Sequence, residues 1–532
     1  MPPEKSWSKH IPEGPWDCVV IGSGMGGMTT AALLAKIGQR VLVLEQHYVP
    51  GGFTHVFKRP GYAWDVGVHA VGEVTKKSMT GRLLAALTDG RLEWASLGPV
   101  YDEFHWPDGV RIDFPDTPQA FRANLEAAFP NESEAIHRYL NRVREVAGVM
   151  KAYYLSRLAP PGAAKLLDPL LTRKARAHFL ETTESVLAEL TTDPRLRSVL
   201  ASQWGYYGST PHNSSFAIQA LVTKHFQWGA HYPVGGSGRI ARELLRTVAA
   251  AGGWTAIRAD VSEILIEGGR AAGVRLADGR EVRAPRVISA AGVMSTLRRL
   301  LPEGVADTEW VSSVEELRPA SAHVCLYLGF EGDIREAGAS AANKWFYETW
   351  DIEADAWYCD EAGSRAPVLY CSFPSLKDPE HDPGPKVRHT GEVVTFVPWK
   401  SFAEWQDEPW KKRGAAYDEM KKDLEQRLLA QFFEHMPELE PMLRFAELST
   451  PVSTQHFTRP IEGSIYGIEP TPKRFESPWL RPRSPIPGLL FSGSEVATVG
   501  VIGAMMGGVL AATSAEPLGA LRYLRRHGLR DR

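Results

Sequence analysis

A glycine-rich turn set between a short apolar run and a helix-forming run leaves this chain few folds to choose from. Asp17-Cys-Val-Val-Ile21 reads as a short buried strand and ends at Gly22-Ser-Gly24-Met-Gly26-Gly27, which fits G-x-G-x-x-G. Met28 to Ile37 continues as an Ala- and Leu-rich helix that stops at Gly38, and Val41-Leu-Val-Leu-Glu45 is a second strand closed by an acid. The acid falls about 20 residues beyond the glycines, the spacing of a dinucleotide-binding fingerprint. Gly22 permits the tight turn, and Gly24 lets backbone amides approach a pyrophosphate. Gly27 lets the helix lie close to the strand, and the helix N-terminus faces the negative charge. Met25 and Gly26 lie in the same turn and are candidate contacts with it. Glu45 is placed to accept from a ribose 2′-hydroxyl, which disfavours a 2′-phosphate.

Composition narrows the classes around that motif. At about 150 residues per domain, 532 residues suggest three domains, or two if one is large. A net charge of −3 excludes a global electrostatic grip on nucleic acid. Cys18, Cys325, Cys359 and Cys371 form no C-x-x-C pair, so neither a disulfide framework nor a metal site is expected, and a reducing, cytoplasmic setting is. The N-terminus lacks the apolar core of a signal peptide. Val499 to Ala515 is short of the ~20 residues of a membrane span and rich in Gly, Ala and Thr, so a buried helix is expected there.

After Glu45 come Gln46 and then Gly51-Gly52-Phe53, a second close backbone approach. This E-x(6)-G-G arrangement resembles the FAD-binding amine oxidase and phytoene desaturase superfamily, and the resemblance implies FAD. It continues at Pro487-Gly-Leu-Leu-Phe-Ser-Gly-Ser-Glu495 and at Val499-Gly-Val-Ile-Gly-Ala504. Gly493 and Glu495 would there approach the ribityl and pyrophosphate groups. Val501 and Ile502 would open a helix aimed at the flavin ring, whose glycines, through Gly508, let backbone meet the cofactor. Several stretches resemble the all-trans-retinol 13,14-reductases (retinol saturases) and carotenoid isomerases. They are Phe57 through Asp65-Val-Gly67-Val-His69, Gly90 to Ala95, Ser214 to Val222, Gly229 to Gly236 and Gly463-Ser-Ile-Tyr-Gly467. Ala70 stands where retinol saturases usually carry Tyr, and Glu495 where the family more often has Asp.

With signatures at both ends, the fold class is α/β: a discontinuous Rossmann-like FAD-binding domain interleaved with an α+β substrate domain. The first combines a doubly wound parallel sheet with a β-meander. Residues 16–75, 229–300 and 485–520 are assigned to the FAD domain, and 76–228 and 301–484 to the substrate domain. Residues 1–15 and 521–532 are read as tails. Val261 to Glu267, Ala271 to Leu276 and an Asp278-Gly279 turn form the meander, and Val287 to Gly292 a returning strand. By resemblance Val261 contacts adenine, while Ala290 and Gly292 approach the dinucleotide.

Thirteen aromatic residues from Trp204 to Trp410 could line an apolar tunnel for a polyene or lipid, or be plain core. Residues 151–176 interleave basic and apolar side chains, so a peripheral membrane contact is weighed against an ordinary solvated helix pair. The resemblance implies flavin chemistry on carbon–carbon double bonds, with saturation first and desaturation or cis–trans isomerisation as alternatives. A non-redox prenyl-binding protein of the same fold is the distant alternative. His69 is the candidate proton donor and Tyr466 a weaker one. No second strand–G-x-G-x-x-G–helix unit is present, so electrons are expected from a partner protein, a quinone, oxygen or a loosely bound donor.

Overall fold

A computed structural model describes residues 6–160, 173–305, 308–354, 356–361 and 363–527. Six strands form one parallel sheet in the order Trp7–Ser8, Trp254–Ile257, Val41–Glu45, Cys18–Ile21, Val287–Ser289 and Leu489–Phe491. Strands buried on both faces read as continuous apolar runs, which is why Cys18–Ile21 and Val41–Glu45 lack alternation and are buried at every position, the second ending in its one acid. From Cys18–Ile21 the chain passes to Val41–Glu45 on one side, while Val287–Ser289 lies on the other. The glycine turn therefore sits at a topological switch point, where open α/β sheets bind ligands.

Helices Met25–Lys36, Gly238–Ala250 and Gly500–Ala515 cover one face, packing Met28, Leu33, Ile240, Leu244, Met505 and Val509 into one core. The other face carries the antiparallel meander Val261–Glu267, Arg270–Leu276 and Glu281–Arg283, with Ile264 and Val274 against Val19 and Leu42. A second, seven-stranded sheet runs Leu443–Ser449, Ala322–Glu331, Arg388–Val397, Val368–Ser372, Asn343–Tyr347, Val100–His105 and Arg111–Pro115. Only its Asn343–Tyr347 and Val100–His105 pair is parallel. Helices Ser133–Arg157 and Phe216–His225 pack in the aromatic core that this sheet shares.

Both expected tails are partly structured. Trp7–Ser8 forms the sheet's edge, and helix Pro517–His527 buries Ala520 and Leu524 in the core. The Gly500–Ala515 helix is buried as expected, and among the described residues no helix is long and apolar enough to cross a membrane. Its glycines need a different reason from the expected one. A Cβ on Gly507 would stand 1.9 Å from the Gly493 carbonyl oxygen, and one on Gly508 2.5 Å from that of Gly26. These two residues let two helices and a turn meet backbone to backbone. In this segment Gly493 and Gly500 are the glycines that leave open space for a ligand.

Residues 161–172 of the basic, apolar segment lie outside the described residues. At its start, Arg157 is buried and donates to the Ser477 and Phe475 carbonyls, while Leu155 is exposed.

Candidate functional site

A cavity of about 540 Å³ runs along the C-terminal ends of the parallel strands. One end is lined by Glu45, Gln46, Asp260 and Val261, the middle by Gly22, Gly24, Met25 and Gly26, and the far end by Gly52, Phe53, Tyr466, Gly493 and Val501. A Cβ at Gly24, Gly493 or Gly500 would meet no protein atom within 4 Å, so backbone is bared to the cavity at each. Glu45 is held rigidly: Ser23 donates to Oε2 through its amide (2.9 Å) and hydroxyl (2.6 Å), and the His47 amide donates to Oε1 at 2.7 Å. Oε1 retains a lone pair for a ligand hydroxyl.

A second cavity of about 180 Å³ shares Gly67, Ile465, Tyr466, Gly500 and Val501 with the first. Its walls are aromatic and aliphatic, including Tyr206, Phe226, Trp345, Tyr370 and Phe396, with His69, His225 and His323 set among them. Trp204, Tyr207 and Trp357 instead fill the core, and Trp228 is exposed, so the tunnel reading holds for only part of the expected set. A wider open cleft of about 870 Å³, between Ile11–Trp16 and the meander, lies apart from both motifs.

Behind His69 the protein is unusually polar for a core. Asp65, Asp102, Lys377 and Glu392 are all buried. Lys377 Nζ donates to the His69 carbonyl (2.8 Å) and Ser372 Oγ (2.7 Å), and also to Asn343 Oδ1. Burial, reinforced by Lys377, pushes the His69 imidazole down to about 3, and burial pushes Asp65 and Asp102 up to about 6. Burial and the neighbouring Asp65 carboxylate raise Glu392 far above the usual carboxylate range.

The family model described as flavin containing amine oxidoreductase matches residues 25–515. The chain belongs to that family. All-trans-retinol 13,14-reductase of Danio rerio is 32% identical over 523 residues, 94% of this chain and 86% of the relative. The chloroplastic prolycopene isomerase of Arabidopsis thaliana is 27% identical over 470 residues, 87% of this chain and 76% of the relative. Cyclohexylamine oxidase from Brevibacterium oxydans is alike in structure, with a TM-score of 0.61 at 15% identity, covering 96% of this chain and all of that one. That likeness carries the fold alone.

As a member of this family the chain is an FAD-dependent oxidoreductase. The residues present fit the cofactor. An acid with a remaining acceptor stands at one end, open glycine backbone and a helix N-terminus in the middle, and an apolar mouth at the other. Of the expected contacts, Gly22, Gly24, Met25, Gly26, Glu45, Gln46, Gly52, Phe53, Val261, Ala290, Gly292, Gly493, Glu495 and Val501 line this cavity.

The others do not. Gly27 packs on Gly22, Gly51 turns the chain with its amide donating to Ser23 Oγ, and Ile502 faces the second cavity. Glu495 does more than line the wall. Its Oε2 accepts from the Val293 and Met294 amides at the N-terminus of helix Val293–Arg299.

Tyr466 lines both cavities, but its hydroxyl donates to the Gly205 carbonyl at 3.1 Å, and burial raises it further above the ordinary phenol range. Three neighbours escaped the sequence reading: Ser23, which braces Glu45, and the Arg459–Asp260 pair beside the cavity's acid end. Lys377 carries no local signal at all. Glu392 does: it is a lone acid in the otherwise apolar or neutral run Gly391–Val397.

Proposed function

We propose that this chain saturates a carbon–carbon double bond of a retinoid-class polyene. The observation that carries the reading is the aromatic cavity opening directly onto the far end of the cofactor cavity, with His69 on its wall. Aromatic faces suit a flat conjugated chain and hold it beside the cofactor. FAD, when bound, supplies hydride chemistry. The protein's own contribution is to exclude water, orient the polyene and bring a proton to the carbon next to the one that takes the hydride. His69 is the group on the cavity wall suited to deliver it. The similarity to all-trans-retinol 13,14-reductase supports this direction, and the weaker similarity to prolycopene isomerase supports isomerisation as the second reading.

Electrons reach the cofactor from a separate donor in this account. The division into FAD-binding and substrate regions is part of the same proposal, with the parallel sheet on the cofactor side and the seven-stranded sheet on the substrate side. Anaerobic incubation of the reduced holoenzyme with all-trans-retinol, followed by product mass analysis, tests the function. A gain of two hydrogens supports saturation. A loss means desaturation, and unchanged mass with altered retention means isomerisation.

A further inference from the structure

A neutral imidazole with so low a proton affinity poses a problem for any role in proton delivery. It carries no spare proton to give, and it must be resupplied from behind as it gives one up. His69 Nδ1 lies 3.1 Å from Glu392 Oε2, and neither atom has a hydrogen-bond partner among the described residues. The Glu392 side chain is completely buried, whereas His69 retains some exposure toward the cavity. The other carboxylate oxygen, Oε1, accepts from the Asp65 amide at 3.0 Å, which fixes the carboxyl group and turns Oε2 toward the ring. Lys377 holds the His69 carbonyl, which pins the backbone that carries the ring.

We propose that Glu392 is the proton store behind His69, handing its proton through the imidazole to the substrate carbon. This rests on the reading of His69 as the group that delivers the proton. Reduced FAD, when bound, would supply a hydride to one carbon of the double bond and be oxidised by two electrons. The π pair then takes the proton from His69 Nε2 and forms the second C–H bond. In the same step the Glu392 Oε2–H proton moves to Nδ1, so the ring stays neutral throughout. The imidazole ends neutral in its other tautomer, and Glu392 ends as a carboxylate. The ring never becomes an imidazolium, so its low proton affinity is no obstacle.

Charge around Glu392 favours this cycle. Asp65, with its own carboxyl bonded to Tyr232 and Ser237, stands on one side and makes a second negative charge costly. Tyr232, Tyr327, Tyr370 and Cys325 are neutral neighbours with proton affinities raised by burial. Lys377 is the cation that stabilises the carboxylate once the proton has left. His323, whose Nδ1 also lacks a partner among the described residues, faces His69 and stays neutral.

Glu392→Gln keeps size and hydrogen bonding but holds no transferable proton. Infrared spectra of the holoenzyme should show the carbonyl stretch of a protonated carboxylic acid, shifting in D₂O and missing from E392Q. In single turnovers of the reduced enzyme with all-trans-retinol, E392Q should saturate the polyene about 100-fold more slowly or worse. His69→Phe should be similarly slow, and the double variant no slower, because the two act as one unit. Flavin absorbance and melting temperature should stay those of the wild type. An absent band, or an E392Q rate within about threefold of wild type, overturns the relay. A wild type with the band that leaves the polyene untouched overturns the saturation reading on which the relay depends.

Discussion

Gly27 lies so close to Gly22 that a Cβ added to it would stand 2.2 Å from the Gly22 carbonyl oxygen, whereas one added to Gly24 would meet nothing within 4 Å. The two glycines of one motif therefore do different work. Gly24 also has a φ of −65°, which alanine adopts without strain. Gly24→Ala should fold with the apoprotein's stability unchanged and lose FAD, because its methyl group occupies the cofactor's space. Gly27→Ala should cost about 1–3 kcal/mol of stability through overpacking, with or without cofactor. Denaturant unfolding of apoprotein and flavin fluorescence on titration separate the two.

That contrast marks how far the sequence could be read. The Rossmann strands were visible because buried parallel strands read as continuous apolar runs, and the glycine turn because its spacing is dictated by the pyrophosphate. The spacing does not say which glycine faces a ligand and which faces backbone. Gly27, Gly507 and Gly508 turned out to face backbone. The polar cluster was largely hidden for the same reason. Asp65, Lys377 and Glu392 lie hundreds of residues apart in part, and only sheet pairing and one short helix, Pro374–Lys377, bring them behind His69.

Burial lowers His323 to about 4, so between pH 6.5 and about 4 the unfolded chain binds a proton there that the folded chain does not. Stability is therefore lost through this residue as pH falls across that window. His323→Gln removes the effect. Relative to the variant, the wild type should lose about 2 kcal/mol on going from pH 7 to pH 5, measured by urea unfolding at both values.

Among the described residues, Lys377 is the cation placed against the buried acids Asp65, Asp102 and Glu392, and its Nζ donates to three oxygen acceptors. Lys377→Met leaves those acceptors without a donor and the acids without compensation. The expected loss is about 3–5 kcal/mol, read from urea unfolding of the apoprotein.

Ala70 lines the small cavity beside His69. Ala70→Tyr would place a phenol ring in a space of about 180 Å³. The variant should retain FAD and bind polyenes more weakly, with KM rising for longer chains first. Steady-state kinetics over a series of chain lengths checks this.

The most direct measurement is a single turnover: photoreduced holoenzyme mixed anaerobically with all-trans-retinol, with flavin absorbance followed in time and the product weighed by mass spectrometry. The oxidised flavin spectrum should return in step with a product carrying two more hydrogens, one product per flavin. A flavin that stays reduced while the polyene is unchanged in mass would contradict saturation.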